Sequence, residues 1–390
     1  MSRTDSPVAP CAMRVALITE SHEARAGGIT TVVHQLAREM GSQGVGVEIV
    51  SVGEDPLPAP PGVRLTNSVP ASFSGPWKWS WKLKHDIQTA ALNDGASVIF
   101  HLHGIWLASQ WYGARIGSQK EIPTILSAHG QLEPYHWTDR GTLHLVKKRL
   151  YWRLVAHPAF RSLRAIHAIT PHEADNLRAL FKDKAISLIP NATDLEEIDR
   201  ALALLPPSVR TNPVVAFVGR FHPKKGVDLL IEAFAQANLP REWRLLLAGP
   251  PGRAAYMKQL AHLVSRSPVR DRIGFVGPLS GDAKWQFYRI AAVVAVPSLS
   301  EVIGMVNLEA AACGTPTITT HETGLLNWEA GGGILVHPNV RELAGALNLL
   351  CLTDNAEYER RSVAARRLIE KEYSWRAVRE RWLDLYRSTL

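Results

Sequence analysis

The sequence predicts an α/β protein built from two parallel-sheet domains. Short apolar runs, each the length of a buried strand, alternate with segments in which apolar residues repeat at helical spacing. At 390 residues the chain is long for one core and suits two domains. The strand-helix alternation begins at Met13 and begins again at Pro213, so we expect one domain in each half.

The composition is that of an ordinary globular protein with an excess of positive charge. Hydrophobic residues make up 46% and charged residues 21%, and the formal net charge is +8. This charge favours an acidic partner, and nucleic acid, an anionic membrane and nucleotide-linked substrates are the alternatives. The three cysteines have neither pairing nor metal-ligand spacing, which indicates a reducing compartment. No apolar run approaches the ~20 residues of a membrane span, so we expect a cytoplasmic protein.

The first domain is predicted to begin after a tail, residues 1–12, that lacks an apolar signal core and that we expect to be disordered. Residues 13–19 form an apolar strand, and a loop ending in Gly27 and Gly28 leads to a helix over 30–40. Glycines at this place either allow a close backbone approach or simply make a turn. Further strands are predicted at 45–52, 97–102, 122–128, 165–170 and 186–190.

Two histidine-glycine pairs follow predicted strands of this domain. His103 precedes Gly104 and Trp106, and His129 precedes Gly130 in the segment HGQLEP. Open α/β sheets bind ligands at the carboxyl ends of their strands. A histidine at such a place is either a structural residue with satisfied hydrogen bonds or a catalytic one, and the recurrence favours the second.

Two basic segments of the first domain indicate a partner. Residues 77–84, WKWSWKLK, alternate tryptophan with lysine, and residues 140–164 carry seven lysines and arginines and no acid. The second segment has an apolar stripe at helical spacing: Leu143, Val146, Leu150 and Leu154. Both fit an anionic membrane surface, because tryptophan prefers the interface and cations prefer the head groups. Both also fit a domain in which the apolar side chains pack inward and the charges face water, and for the stripe of the second segment we expect this inward packing.

The second domain repeats the strand-helix pattern. A proline-rich linker is predicted at 205–208. Strands are predicted at 213–219, 243–249, 272–277, 291–297 and 315–320, and a helix at 227–237. Arg220 and Lys225 lie in the loop that leaves the first of these strands. Two cations there can neutralise a diphosphate, and a solvated basic turn is the alternative when the spacing is taken alone.

The most informative stretch is 297–316, PSLSEVIGMVNLEAAACGTP, which follows a predicted buried strand. It predicts a loop and then a helix that begins at Gly304. The free N–H groups expected to face an anion are those of Gly304, Met305 and Val306. Glu301 and Glu309 would lie beside this anion and suit hydroxyls, as on a ribose and a sugar ring. The same two glutamates are also explained as solvated charges that the helix dipole favours.

This stretch resembles the donor-site motif of the retaining glycosyltransferases of family 4, which have the GT-B fold of two Rossmann-like domains with parallel sheets facing across a cleft. The matching residues are Pro297, Ser298, Glu301, Gly304, Leu308, Glu309, Ala310, Ala312, Gly314 and Pro316. Ile303 stands where phenylalanine is usual, and Val302 where a small or polar residue is usual. The resemblance extends from Gly27 to Trp375 and implies domains at 13–190 and 191–374, with the last helix, 375–390, packed on the first.

The resemblance also implies residue roles. Glu301 would face the donor sugar, Glu309 would bind the nucleotide ribose, and His129 would lie near the donor hexose. The catalytic residues it implies are His129, Glu301, Arg220 and Lys225, of which the last two match the motif VGRxxxxKG and stabilise the leaving diphosphate. The donor-binding residues it implies are Gly27, Gly28, Arg220, Lys225, Ser298, Gly304, Met305, Val306 and Glu309. His103 and Trp106 would line the acceptor side.

The segment HGQLEP resembles a motif of a family 4 subgroup that builds surface polysaccharides, with Gln131 in place of methionine. It implies transfer of a hexose, mannose-like or other, from a GDP-, UDP- or ADP-linked donor to a glycan acceptor. A polyprenyl-diphosphate-linked acceptor on the inner membrane, in lipopolysaccharide or exopolysaccharide assembly, fits the basic segments 77–84 and 140–164, and a soluble acceptor is the alternative. With no Asp-x-Asp pair, we expect neither metal nor other cofactor. A nucleotide-sugar hydrolase or epimerase and a basic nucleic-acid binder are the other classes, and the ordered donor motif argues against the last.

Overall fold

The structure, a computed structural model, describes residues 13–23, 27–73, 75–92, 95–138, 141–203, 213–325 and 327–390. The chain divides into two compact units, one of Met1–Pro190 with Arg379–Leu390 and one of Asn191–Val378. The expected tail at 1–12 and the linker at 205–208 lie outside the described residues. No helix in the described ranges has both the length and the apolar character that crossing a bilayer requires.

The described part of the first unit contains a seven-stranded parallel sheet. Its strands are β1 (Met13–Thr19), β2 (Gly46–Val52), β3 (Arg64–Ser68), β4 (Ser97–His103), β5 (Thr124–Ser127), β6 (Ala165–Ala168) and β7 (Ala185–Leu188). They pair in the order β3-β2-β1-β4-β5-β6-β7. The order reverses at β1, and ligands bind outside the carboxyl ends of the strands at such a reversal. The loops after β1 and β4 therefore mark the expected binding edge of this unit.

Helices cover this first sheet. They are α1 (Gly28–Ser42), α2 (Leu83–Ala90), α3 (Ala108–Gln119), α4 (Pro134–Thr138), α5 (Thr142–Tyr151), α6 (His157–Ala159) and α7 (Pro171–Leu180), and a π-helical segment, Trp152–Ala156, joins α5 to α6. The apolar residues Val33, Leu36, Ala37 and Met40 of α1 are buried, as their helical spacing requires. The helix begins at Gly28 rather than at residue 30, because Gly27, with φ of 89°, is its N-cap.

The described part of the second unit contains a six-stranded parallel sheet, in the order β10-β9-β8-β11-β12-β13. Its strands are β8 (Val214–Val218), β9 (Arg244–Ala248), β10 (Ile273–Gly277), β11 (Val293–Val296), β12 (Thr317–Thr320) and β13 (Ile334–Val336). Its helices are α8 (Leu195–Leu202), α9 (Val227–Gln236), α10 (Ala254–Arg266), α11 (Gly281–Ile290), α12 (Met305–Ala312), α13 (Val340–Cys351), α14 (Asn355–Leu368) and the start of α15 (Trp375–Thr389). The order reverses at β8, so the loops after β8 and β11 mark its binding edge.

The apolar runs predict the inner strands of both sheets, and the α/β class with two parallel sheets is confirmed. The observed strands are shorter than the runs; for example, the run at 122–128 contains a strand only at Thr124–Ser127. No long apolar run marks β3 and β13, two of the four strands at the sheet edges, whose sequences are RLTNS and ILV. An edge strand has one neighbour and can form without such a run.

The basic segments of the first unit are partly buried and partly exposed. Trp77 and Trp79 pack against the core, whereas Trp81 is 74% exposed. The expectation that the apolar stripe packs inward is wrong, because Leu143, Val146 and Leu150 of α5 and Leu154 of the π-helical segment are 57% to 69% exposed. Tyr151, the last residue of α5, and Trp152, the first of the π-helical segment, pack against the core instead.

The end of α15 belongs to the first unit and packs on its sheet. The Trp382 ring lies 4.4 Å from the His167 ring, and the Tyr386 hydroxyl lies 2.9 Å from His101 Nδ1. Both aromatic side chains are buried. The unit thus includes the chain from Arg379, four residues after the start that the sequence predicts for the returning helix.

A directional hydrogen-bond chain continues from Tyr386 into the sheet. Burial lowers the pKa of His167 to about 4 and that of His101 well below its usual value, so both rings are neutral. His167 Nε2 donates to the Ile189 carbonyl at 2.7 Å, which leaves Nδ1 to accept from the Ser127 hydroxyl at 2.7 Å. Ser127 Oγ then accepts from His101 Nε2 at 2.7 Å, and His101 Nδ1 accepts from Tyr386.

We expect this unit to lose stability as the pH falls from 6.5 to about 4. The folded pKa of His167 is about 4 and the unfolded value is about 6.5, so the unfolded chain binds the proton first. Stability is complete above pH 6.5, and His167 alone accounts for a loss of about 3 kcal/mol. Urea unfolding at pH 7.5 and 4.5 measures it. His167→Asn should flatten the pH dependence, and His262→Asn, on α10, should not; equal slopes in all three proteins would contradict the assignment.

Candidate active site

Two loops at the carboxyl edge of the second sheet carry most of the predicted donor residues. One follows β8 and ends at Gly226, the N-cap of α9, and the other follows β11 and ends at Gly304, the N-cap of α12. The Leu299 N–H donates to the Lys224 carbonyl at 2.7 Å, which joins the loops. A β-carbon at Gly226 would lie 2.2 Å from the Pro297 carbonyl oxygen, and φ there is 63°. Glycine is therefore required for this contact.

The joined loops bring Lys225, Glu301 and Ser298 together. Lys225 Nζ lies 2.8 Å from Glu301 Oε2, and both side chains are largely buried. The Ser298 hydroxyl donates to Glu301 Oε1, so both carboxylate oxygens of Glu301 have partners. The sequence placed all three residues in the donor site but gave no signal for their contacts with one another. The ion pair thus holds one cation and one carboxylate side by side at this edge of the sheet.

The positive charges of four residues act on His222 in the loop after β8. Burial lowers the pKa of this imidazole first, and the charges of Arg220, Arg253, Lys224 and Lys225 lower it further. Arg253 comes from the loop after β9, as the N-cap of α10, and sequence reasoning did not select it. We call these four residues the basic cluster. An anion bound among them would meet several positive charges from two neighbouring loops.

The amides before α12 are not free as the sequence predicted. The Gly304 N–H donates to the Thr323 carbonyl at 3.0 Å, and the Met305 N–H donates to the Ile303 carbonyl at 3.0 Å. The reason is that the loop after β11 is tied to the loop after β12, since the Glu301 N–H also donates to the Glu322 carbonyl, at 2.8 Å. Of the three amides predicted to face an anion, that of Val306 is the one left in the open first turn.

Glu309, on the second turn of α12, is held by two residues of α11. Its Oε1 lies 2.9 Å from Lys284 Nζ, and its Oε2 accepts from the Tyr288 hydroxyl at 2.7 Å. Sequence reasoning missed both partners, although their spacing of four places them on one face of a helix. A carboxylate has about four acceptor positions, so Glu309 keeps capacity for the hydroxyls of a ligand.

In the first unit, His103 and His129 contact each other at the ends of β4 and β5. His103 Nδ1 lies 2.9 Å from His129 Nε2, and the rings stack with centroids 5.2 Å apart. His103 is buried, so in this structure it supports His129 rather than lining an acceptor surface. Burial lowers the pKa of His129 to about 3, with a further contribution from His167, so the ring is neutral at pH 7.

The backbone at His129 has an unusual conformation. Its φ is 52°, a left-handed value that a residue with a β-carbon rarely adopts, and Gly130 follows with φ of 70°. The buried carboxylate of Glu173 accepts from the Gly130 N–H at 2.6 Å and from the Ile169 N–H at 2.8 Å. Sequence reasoning missed Glu173. The signal was present as Thr170-x-x-Glu173, a pattern typical of helix N-termini.

Gln131 joins three loops at this edge. Its Oε1 accepts from the Ile105 N–H at 2.9 Å, and its carbonyl accepts from Trp106 Nε1 at 3.3 Å. It also forms a side-chain hydrogen bond with Glu20, which follows β1 and whose pKa is raised by burial. Gly27, directly before α1, lies in the same loop as Glu20. A β-carbon at Gly28 would meet no atom within 4 Å, so this glycine leaves open space at the helix start.

The resemblance places His129 beside a sugar donor, and in that role replacing Glu173 with alanine is expected to lower donor turnover about tenfold and leave donor Kd unchanged. The change frees the Gly130 N–H and so misplaces His129, and small displacements of a catalytic group can cost up to ~10²-fold. Nucleotide release and a binding titration measure the two quantities. Glu173→Gln retains one acceptor oxygen, so its turnover should lie between those of the wild type and Glu173→Ala. Asp175→Ala, at an exposed position on α7, is the control. Unchanged turnover in Glu173→Ala would show that the contact is structural only.

Family models match both halves of the chain. The model described as "Glycosyltransferase Family 4" matches residues 26–197, and the model described as "Glycosyl transferases group 1" matches residues 206–368. D-inositol 3-phosphate glycosyltransferase of Mycolicibacterium vanbaalenii is 32% identical over 340 residues, which cover 77% of this chain and 72% of that protein.

Solved structures of similar fold cover nearly the whole chain. Sucrose-phosphate synthase from Thermosynechococcus elongatus has a TM-score of 0.72 at 23% identity, covering 96% of this chain and 98% of that one. Anabaena HepE, crystallised with UDP and glucose, has a TM-score of 0.72 at 19% identity, covering 96% and 100%. At these identities the likeness shows the fold, and the predicted GT-B class is confirmed.

Proposed function

The chain belongs to the family 4, group 1 glycosyltransferases, and we propose that it transfers a hexose from a nucleotide sugar to a glycan acceptor with retention of configuration. The observation that carries the proposal is the basic cluster beside the Lys225–Glu301 pair, where the strand order of the second sheet reverses. A diphosphate fits the cations, and Glu309 fits ribose hydroxyls. The complex of HepE with UDP and glucose supports a nucleotide-sugar donor.

The proposed reaction needs no protein nucleophile, metal or other cofactor. The bond between the sugar carbon and the diphosphate oxygen lengthens, and the sugar becomes oxocarbenium-like, as in glycoside hydrolysis. Arg220 and Lys225 stabilise the negative charge that develops on the diphosphate. The acceptor oxygen bonds to the same carbon from the face that the diphosphate leaves, and its proton passes to a diphosphate oxygen. Glu301 and the neutral His129 orient the sugar.

A panel of GDP-, UDP- and ADP-sugars tests the donor. One member should raise the unfolding free energy by about 2.7 kcal/mol at a concentration of 100 Kd. Thermal unfolding with each compound measures this, and the corresponding free sugars serve as controls. No stabilisation by any member at millimolar concentration would overturn the proposal. The panel also identifies the base, which the site residues leave open.

For the acceptor we propose a polyprenyl-diphosphate-linked glycan, used in lipopolysaccharide or exopolysaccharide assembly at the cytoplasmic face of the inner membrane. The exposed stripe on α5 supports a membrane location, since exposed leucines beside cations are typical of helices that lie on anionic bilayers. Trp81 and Phe73 are also exposed, and Trp77 of the same segment donates to the Tyr151 hydroxyl of α5 at 3.0 Å. The segment that contains Trp81 therefore contacts α5.

Replacing Val146 and Leu150 together with serine is expected to lower binding to anionic vesicles at least tenfold. Each side chain forfeits about 1.5–3 kcal/mol of apolar transfer when it is removed from the bilayer. Cosedimentation with phosphatidylglycerol vesicles measures it, with vesicles of neutral lipid for comparison. Leu349→Ser, at an exposed leucine of α13, is the control. Equal binding by the double variant and the control would exclude the stripe as the membrane contact.

Two other candidate functions can be distinguished from this one by experiment. A soluble phosphorylated acceptor is suggested by the name of the relative from Mycolicibacterium vanbaalenii, and transfer to inositol phosphate without any lipid would establish it. A nucleotide-sugar hydrolase or epimerase would convert the donor in the absence of acceptor, the first to free sugar and nucleotide and the second to an equilibrium mixture of epimers. Product analysis of such a reaction decides between this class and transfer.

A further inference from the structure

An apolar cavity of about 520 Å³ lies beside the loop of His129 in the first unit. Six side chains give it an apolar lining: Leu132, Pro134, Trp137, Trp152, Ala179 and Leu180. Its volume is within the roughly 300–1,000 Å³ of sites that bind small molecules. Leu132 and Pro134 follow His129 by three and five residues, so one wall of the cavity continues the candidate active site.

Two polar groups of the lining already have hydrogen-bond partners. Trp137 Nε1 donates to the Leu132 carbonyl at 3.0 Å, and the Asn176 amide donates to Glu133 at 2.5 Å. The Trp137 and Trp152 rings meet edge to face, with centroids 6.2 Å apart. The lining therefore offers indole and aliphatic surface, which suits a hydrocarbon rather than a sugar or a base.

The charged side chain of the lining is Arg149, which is exposed on α5. It directly precedes Leu150 of the exposed stripe, and Arg153 is the next cation along the chain. A guanidinium beside an apolar cavity matches a molecule with a hydrocarbon chain and a phosphate, because arginine binds phosphate through two parallel hydrogen bonds. Arg149 also links the cavity in sequence to Leu150, a residue of the surface proposed to contact the bilayer.

We propose that this cavity binds the hydrocarbon chain of an anionic lipid and that Arg149 pairs with the lipid's phosphate. Two sources supply this chemistry, the prenyl carrier of a lipid-linked acceptor and a phospholipid of the membrane. The first source rests on the proposed function, because it would hold the acceptor's head group near His129. The binding itself does not depend on sugar transfer.

Calorimetric titration without donor tests the proposal, with farnesyl monophosphate, farnesol and dioctanoyl phosphatidic acid, each below its micelle concentration. Farnesyl monophosphate should bind more tightly than farnesol. Arg149→Gln should weaken the binding of farnesyl monophosphate at least tenfold and leave the affinity for farnesol unchanged. Ala179→Trp fills the cavity and should weaken both at least tenfold. Arg178→Gln, an exposed arginine on the same helix as Ala179, is the matched control and should bind as the wild type does.

Ala179→Asp serves as a second cavity variant if the tryptophan disturbs folding. It places a negative charge in the lining, which opposes an anionic lipid, and the exposed position tolerates a charged side chain. No binding of farnesyl monophosphate to the wild type, or binding that neither Ala179 variant weakens, would overturn the proposal. Preference for the prenyl over the diacyl phosphate assigns the cavity to the acceptor carrier, and equal affinity assigns it to membrane lipid. Stabilisation of the Ala179 variants by a nucleotide sugar is measured in parallel, so that failure here is distinguished from failure of the proposed function.

Discussion

Replacing Lys225 with alanine is expected to lower kcat by about 10²- to 10³-fold, the usual loss when one preorganised electrostatic group is removed. Lys225 Nζ lies 2.8 Å from Glu301 Oε2, and an ammonium has two further N–H donors for a diphosphate. Charge develops on the diphosphate as the sugar leaves, so the loss should fall on the chemical step more than on donor binding. Nucleotide release gives the rate, and a titration gives donor Kd.

The ion pair with Glu301 allows a second explanation, in which Lys225 only positions the carboxylate. In that case kcat should fall by the same factor in Lys225→Ala, in Glu301→Gln and in the double variant, because each of them breaks the same contact. Direct action on the diphosphate requires the double variant to be slower than Glu301→Gln. Lys258→Ala, at an exposed lysine of α10, should turn over normally. Near-normal turnover in Lys225→Ala would remove the leaving-group argument.

Replacing Glu309 with glutamine is expected to raise donor Kd by about 10- to 100-fold with little change in kcat. A hydrogen bond to a charged group contributes about 1.5–3 kcal/mol, and a ribose offers two hydroxyls to the carboxylate. Glutamine keeps the shape of the side chain and one acceptor oxygen. The loss should therefore appear in binding, which is measured by titration with the nucleoside diphosphate identified by the donor panel.

The ribose itself supplies the control for Glu309. The wild type should bind the nucleotide more tightly than its 2′,3′-dideoxy analogue, and Glu309→Gln should bind the two alike. Tyr288→Phe removes the 2.7 Å bond to Oε2 and leaves Lys284 in place, so we expect a smaller rise in Kd. If Glu309→Gln still discriminated fully between the two nucleotides, the carboxylate would not be the ribose ligand.

The sequence predicted the inner strands and the two-sheet class because buried parallel strands need continuous apolar runs. It also predicted the edge strands β7 and β10 but missed β3 and β13, because an edge strand has one neighbour and can form without a long apolar run. It also misjudged the stripe on α5, because periodicity shows that a helix has an apolar face but not whether protein covers it. The exposed apolar face of this helix is the observation that supports the proposed membrane contact.

The candidate site was predictable where its residues belong to one linear motif and unpredictable where they meet through the fold. Glu301 and Glu309 follow from the motif, whereas Lys284 and Arg253 reach the site from elements that the motif does not include. Glu173 is 43 residues from Gly130 in sequence, and only the pairing of β5 with β6 brings its helix to that loop. The amide of Gly304 was misjudged because its acceptor, Thr323, belongs to the next strand's loop.

A crystal structure with the stabilising nucleotide sugar tests the central claim most directly. We predict that the diphosphate oxygens lie within hydrogen-bonding distance of Arg220 and Lys225, and that Glu309 accepts from the ribose hydroxyls. Arg253 should approach the same anion. Density for the nucleotide away from the loops after β8 and β11, with Lys225 still paired only to Glu301, would contradict the account.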